Sequence, residues 1–113
     1  MLDEHKVVDK LKISTFVQKI KEYGYNNIEA TNHTFVRLSS KQRKIYTEKN
    51  LKDILFYETP IDVSLQRNNN YAVVYLFKGT KQLKIMLDLS LNKIYIVTFF
   101  ILNKGQEVHS KDG

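Results

Sequence analysis

Residues 61–102 read IDVSLQ RNNN YAVVYLF KGTK QLKIMLDLS LNK IYIVTFFIL, and this stretch decides the fold. Ile61, Val63 and Leu65 alternate with Asp62, Ser64 and Gln66, the two-residue period of a half-buried strand. The polar tetrapeptide 67–70 is a turn, and Tyr71 to Phe77 is an aromatic and β-branched run. Residues 78–81, with Gly79, turn the chain again. Leu83, Ile85, Leu87 and Leu89 then alternate with Lys84, Met86 and Asp88, and a third turn follows at 91–93. Residues 94–102 are apolar on both faces, which suits a central strand. Turns this short join antiparallel neighbours. Four strands in one curved antiparallel sheet are therefore expected.

Upstream of Pro60 the period is helical. Ser14 is placed as an N-cap, Phe16, Val17, Ile20 and Tyr23 share a broad face, and Gly24 suits the position after a helix end. A second helix is expected from about Glu48 to Tyr57, with Thr47 as N-cap, Leu51, Ile54 and Leu55 as its apolar face, and Pro60 closing it. Residues 25–30 read as a connection or a short strand, and residues 1–9 as a polar end that frays. Residues 31–43 fit either a strand or a helix capped by Thr31, the helix being favoured. Both readings put His33 and Arg37 on one face. The fold class is α+β: N-terminal helices packed on a curved four-stranded antiparallel sheet. A single domain is expected over 1–113, with an ordered core over about 10–103 and a loose polar tail.

Composition narrows the chemistry. The chain has 113 residues, no cysteine and three histidines far apart in sequence, which excludes disulfide scaffolds, thiol nucleophiles and thiolate metal sites. Its apolar runs are too short to span a bilayer and no signal peptide opens it, so a soluble, cytoplasmic protein without membrane partners is expected. Lys plus Arg is 18 against 12 for Asp plus Glu, giving a net charge of +6. That surplus favours polyanions through phosphate contacts and counterion release, and it also serves solubility.

Glycine-rich phosphate loops, nucleophile elbows and His-Glu-x-x-His are absent, so no cofactor and no metal are expected. What remains is a basic constellation. His33, Arg37 and Arg43 lie close in sequence, Lys41, Lys44 and Tyr46 join them, and Thr98 is the one aliphatic hydroxyl in the last strand. Metal-free RNA cleavage uses such groups. A base takes the proton of the ribose 2′-hydroxyl, an acid protonates the leaving 5′-oxygen, and cations stabilise the phosphorane between them. Imidazole suits the proton transfers, because it titrates at about pH 6.5. The guanidinium fork suits the phosphate. Singly, each residue has a plainer reading: a structural histidine, solvated helix-face charges, an ordinary strand threonine.

The order of these residues resembles a known group. Residues 28–37 (IEATNHTFVR), 43–47 (RKIYT), 51–55 (LKDIL) and Pro60 look like the opening of small RelE-like domains of the barnase–EndoU–colicin–RelE ribonucleases. Residues 70–75, 83–85 and 96–100 look like their strand meander. The resemblance covers roughly 28–102. It implies a toxin that cleaves tRNA or mRNA without metal, held in check by an antitoxin or immunity protein. It further implies His33 as general acid or base, Arg37 and Arg43 on the scissile phosphate, and Thr98 orienting that phosphate. Lys41, Lys44 and Tyr46 would bind substrate. The first half is also similar to HicA-type toxins, through residues 14–24, 32–35 and 51–55, although the Gly-Ser that precedes the histidine in those proteins is missing here. The expected function is a metal-independent endoribonuclease. The alternatives are a non-catalytic nucleic-acid-binding module and an immunity or inhibitor domain.

Overall fold

A computed structural model describes residues 7–36, 38–77 and 81–102. In chain order the elements are β1 (Val7–Lys10), α1 (Ile13–Tyr23), a 3-10 turn (Tyr25–Asn27), β2 (Ile28–Ala30), α2 (Ser40–Ile45), α3 (Glu48–Tyr57), β3 (Asp62–Gln66), β4 (Tyr71–Phe77), β5 (Lys81–Leu89) and β6 (Ile94–Ile101). The class is α+β, as the periods require, and the four expected strands are β3 to β6.

The sheet corrects the expectation in three respects. It has six strands in the order β1-β3-β4-β5-β6-β2. One pair is parallel: β2 runs alongside β6, with Ile28, Glu29 and Ala30 opposite Ile94, Tyr95 and Ile96. The sheet is also not strongly curled, and its two edges, β1 and β2, stay apart. The two added strands are four and three residues long, too short to display a period. Residues 7–9, expected to fray, belong to β1, which pairs antiparallel with β3. Residues 1–6, the expected turn at 78–80 and the expected loose tail at 103–113 lie outside the described residues.

The helices follow their apolar spacing. Phe16 and Ile20 of α1 and Leu51, Ile54 and Leu55 of α3 are buried. Thr47 Oγ1 accepts the backbone N–H of Asn50 (3.1 Å), the expected cap. Ser14 is not the cap of α1. Leu11 N–H bonds to Val63 O as β1 leaves the sheet, the helix starts at Ile13 directly behind it, and Lys12 stands at the cap position without a side-chain bond. Gly24 ends α1 at φ 90°, a backbone region that L side chains rarely adopt.

All three helices lie on one side of the sheet. Phe16, Ile20, Leu51, Ile54 and Leu55 pack with Val63, Val73, Tyr75, Ile85, Leu87, Ile96 and Phe99 as one core. A bulge in β6 decides which of its residues join. Leu87 faces Ile96 but Met86 faces Thr98, so β6 carries an extra residue there. Strict alternation would keep Thr98 on the helix side with Ile94 and Ile96. The bulge instead swings Phe99 into the core and sends Thr98 to the opposite face, in one row with Met86, Ala72 and Ser64.

Candidate functional site

The segment 31–38 is neither helix nor strand. It is a run of tight turns, with N–H to C=O bonds from Thr34 to Thr31, Val36 to His33 and Leu38 to Phe35. Side chains tie it to the sheet where β2 ends. Thr34 is buried, and its hydroxyl donates to Ile96 O at 2.6 Å. The same carbonyl accepts Thr31 N–H at 3.1 Å. Thr34 Oγ1 in turn accepts from Thr31 N–H at 3.0 Å. Phe35 packs edge-on against Phe99, ring centroids 6.0 Å apart. β-branching at Thr31, Thr34 and Val36 suggested regular structure, but Thr34 has a different role: its hydroxyl replaces a ladder partner on the edge of β6.

His33 is thus held on an anchored turn, exposed, and its side chain forms no hydrogen bond or ion pair with a described residue. Arg37 lies outside the described residues. Ser39 opens α2 with a capping box: its hydroxyl accepts Gln42 N–H at 3.2 Å, and Gln42 Oε1 accepts Ser39 N–H at 3.0 Å. Arg43 and Lys44 are exposed in the last turn of α2, where cations complement the helix dipole. Lys41 belongs to α2, and its side chain lies outside the described residues. Tyr46 is half-buried against Phe99 and Phe77, centroids 5.2 and 5.6 Å away. It therefore sits on the helix side of the sheet, whereas Thr98 sits on the other. A phosphate held at Tyr46 would be screened from Thr98 by the sheet.

A groove of about 560 Å³ continues from Tyr46 along α3. Lys44 and Tyr46 line one part, Asn50, Ile54 and Glu58 form a ridge at four-residue spacing, and Phe77 faces them. Sequence reasoning passed over Asn50 and Glu58, although the i, i+4, i+8 spacing on the border of the apolar face was a usable signal. Glu58 reaches beyond the groove. Burial pushes the Tyr75 phenol well up from its ordinary value, and the carboxylate of Glu58 adds to that shift. The Tyr75 hydroxyl is buried without a hydrogen-bond partner among the described residues.

A second cluster lies on the outer side of α3. Asp53 accepts from Tyr25 Oη at 2.6 Å and from Lys49 Nζ at 2.8 Å. The Lys49 and Tyr25 hydrogen bonds hold its carboxyl below the usual aspartate range, and the bond to Asp53 raises Tyr25 and Lys49 above theirs. Nearby, Lys21 Nζ lies 3.9 Å from the Phe56 ring centroid and Lys52 Nζ 4.5 Å from that of Tyr25, while Tyr57 is exposed.

Among the described residues, no three histidine or carboxylate side chains gather as metal ligands, and no helix is long and apolar enough to cross a membrane. No curated protein and no solved structure matches the chain. One family model does, over residues 14–87, which takes in α1, the His33 turn, α2, α3 and the strands from β3 into β5, and stops short of β6. Since that match covers well over half of the sequence, the chain belongs to the MJ0788 family.

Proposed function

We propose that this protein is a metal-independent endoribonuclease of toxin type. His33 serves as the acid–base residue, and Arg37, Arg43 and Lys44 serve as its phosphate-binding cations. The observation that carries the reading is the setting of His33: an exposed imidazole without a partner among the described residues, on a turn fixed by Thr34 and Phe35, a few residues ahead of a basic helix. In the reaction, a base removes the 2′-hydroxyl proton and the 2′-oxygen bonds to phosphorus. The bond from phosphorus to the 5′-oxygen breaks, and an acid protonates that oxygen, leaving a cyclic phosphate. Cations offset the charge that builds on the phosphorane. The groove beside Tyr46 gives room for a neighbouring nucleotide. Thr98 has no part in this arrangement. The same reading makes tRNA or mRNA the substrate, an antitoxin or immunity protein the partner, and the cytoplasm the place of action.

The test is cleavage of total tRNA and mRNA by purified protein in EDTA, beside His33→Ala. Cleavage that persists in EDTA and falls about a hundredfold or more in the variant is expected. A folded protein that cuts neither RNA overturns the reading. A second reading, a nucleic-acid-binding module without catalysis, is favoured by the cations over the Phe56 and Tyr25 rings, which suit binding without cleavage. Salt-dependent binding with no cut would select it.

A further inference from the structure

A separate basic cleft lies at the other side of the helix layer, where β1 passes into α1. Its volume is about 340 Å³. Lys10, Lys12 and Lys19 rim it together with Thr15, and among the described residues no acidic one lines it. Phe16 and Tyr71 form its aromatic floor, their centroids 6.3 Å apart. Lys10 is already committed, since its ammonium bridges to Asp62 at 2.9 Å. Lys12 is exposed and pairs with no described residue, and Lys19 is exposed with its Nζ 5.9 Å from the Tyr71 centroid. Two cations are thus available at the cleft, Lys19 beside the partly exposed Tyr71 ring and Lys12 on the rim. Phosphates with an adjacent base offer the matching pattern, charge for the lysines and a π-face for the ring. An acidic peptide would satisfy the lysines and leave the ring unused.

The cleft and the His33 turn stand on one sheet. Tyr71, Leu87 and Ile96 are successive partners across β4, β5 and β6, and Ile96 O is the anchor of the His33 turn. Leu87 and Ile96 are buried under the helices, so a nucleic-acid strand that engages both places follows the surface around the helix layer.

We infer that the Lys12–Lys19–Tyr71 cleft is an RNA exosite that grips single-stranded substrate away from the cut. The inference rests on the ribonuclease reading for the identity of the polyanion. It places on this cleft a share of affinity that the His33 turn does not supply.

The test uses a single-stranded RNA oligonucleotide, 2′-O-methylated throughout so that it cannot be cut, bound to the whole protein over a range of salt. Lys12→Gln with Lys19→Gln removes two charges and keeps both apolar stems. The double variant is expected to bind about tenfold more weakly. The slope of log affinity against log salt should fall by about 0.7 per lost phosphate contact. Cleavage of unmodified RNA at saturation should keep its rate. Unchanged affinity and slope overturn the exosite and leave the nuclease reading standing. A reduced slope in a protein that never cuts RNA keeps the cleft as an RNA-binding site and removes the nuclease reading, and with it the role of exosite. If the double variant binds RNA normally but loses a polyglutamate peptide, the cleft serves a protein partner and the inference falls. Both lysines are exposed, and Lys12→Gln or Lys19→Gln alone, each expected at about half the effect, serves if the double variant does not fold.

Discussion

The β4–β5–β6 meander and the segment 31–46 meet at β6 and are held by different forces. In the meander, Val73, Tyr75, Ile85, Leu87 and Ile96 are wholly buried, and each strand is stabilised by area removed from water. The segment 31–46 buries little. It is positioned by the Thr34 hydroxyl on Ile96 O, the Ser39 capping box and the Phe35–Phe99–Tyr46 rings, and it leaves His33, Arg43 and Lys44 in solvent. Burial is concentrated in one region and exposed titratable groups in the other, a division seen where a rigid scaffold presents a loop.

The division is broken most directly from the scaffold side. Leu87→Ala leaves a cavity between the helices and the sheet and should cost about 2–5 kcal/mol in denaturant unfolding. A loss under about 1 kcal/mol would mean that the meander is not where stability resides. His33→Ala should do the reverse. A loss of cleavage of about a hundredfold or more is expected, with unfolding stability within about 0.5 kcal/mol of wild type, since the side chain is exposed and has no partner among the described residues. A variant that keeps its activity and loses stability would make His33 structural.

The same division explains what was legible in the sequence. Strands β3 to β6 and helix α3 announce themselves because burial imposes a period, and Thr47 and Pro60 mark the limits of α3. β1 and β2 are too short for any period and owe their place to backbone pairing with β3 and β6. The turn at 31–36 depends on one hydroxyl reaching a carbonyl 62 positions away, which no local pattern encodes. The facing of Thr98 was not legible for a related reason: a one-residue bulge reverses the alternation, and nothing in the IYIVTFF run marks it. The residue types of the candidate site were visible, as was the short span of sequence from His33 to Arg43. The separation of Thr98 from Tyr46 by the sheet was not.

Thr34→Val sharpens the comparison at the joint between the two regions. The substitution keeps the shape, removes the donor to Ile96 O and takes away the acceptor of Thr31 N–H. Ile96 O keeps its bond from Thr31 N–H, so the expected cost is about 1–2 kcal/mol. Hydrogen exchange should show the amides of Thr34, Val36 and Leu38 exchanging faster while those of β4 and β5 change only with global stability. Cleavage should fall as well, because His33 is no longer held. Uniform acceleration across the meander would mean that the turn belongs to the same cooperative unit as the sheet.

The smallest effect concerns the Tyr25–Asp53–Lys49 cluster, which belongs to neither region. Asp53 has its carboxyl held below the ordinary range by Lys49 and Tyr25, so the folded state binds this proton less readily than the unfolded chain. Its contribution is present above the ordinary aspartate value of about 3.9 and is lost as pH falls through the lower folded value. Tyr25 and Lys49 are shifted upward, so their contributions are present below ordinary values near 10 and are lost as pH rises through the folded values. Asp53→Asn removes the shared partner. The stability gap between wild type and variant should therefore be widest around neutral pH, narrow toward pH 3 and toward pH 11, and shrink in salt, because the cluster is solvent-exposed and screened. Urea midpoints for both proteins at the three pH values, at low and high salt, measure this. A gap that stays constant with pH would assign Asp53 a packing role. A loss of cleavage in the same variant would tie the groove along α3, which Asp53 borders, to the chemistry at His33.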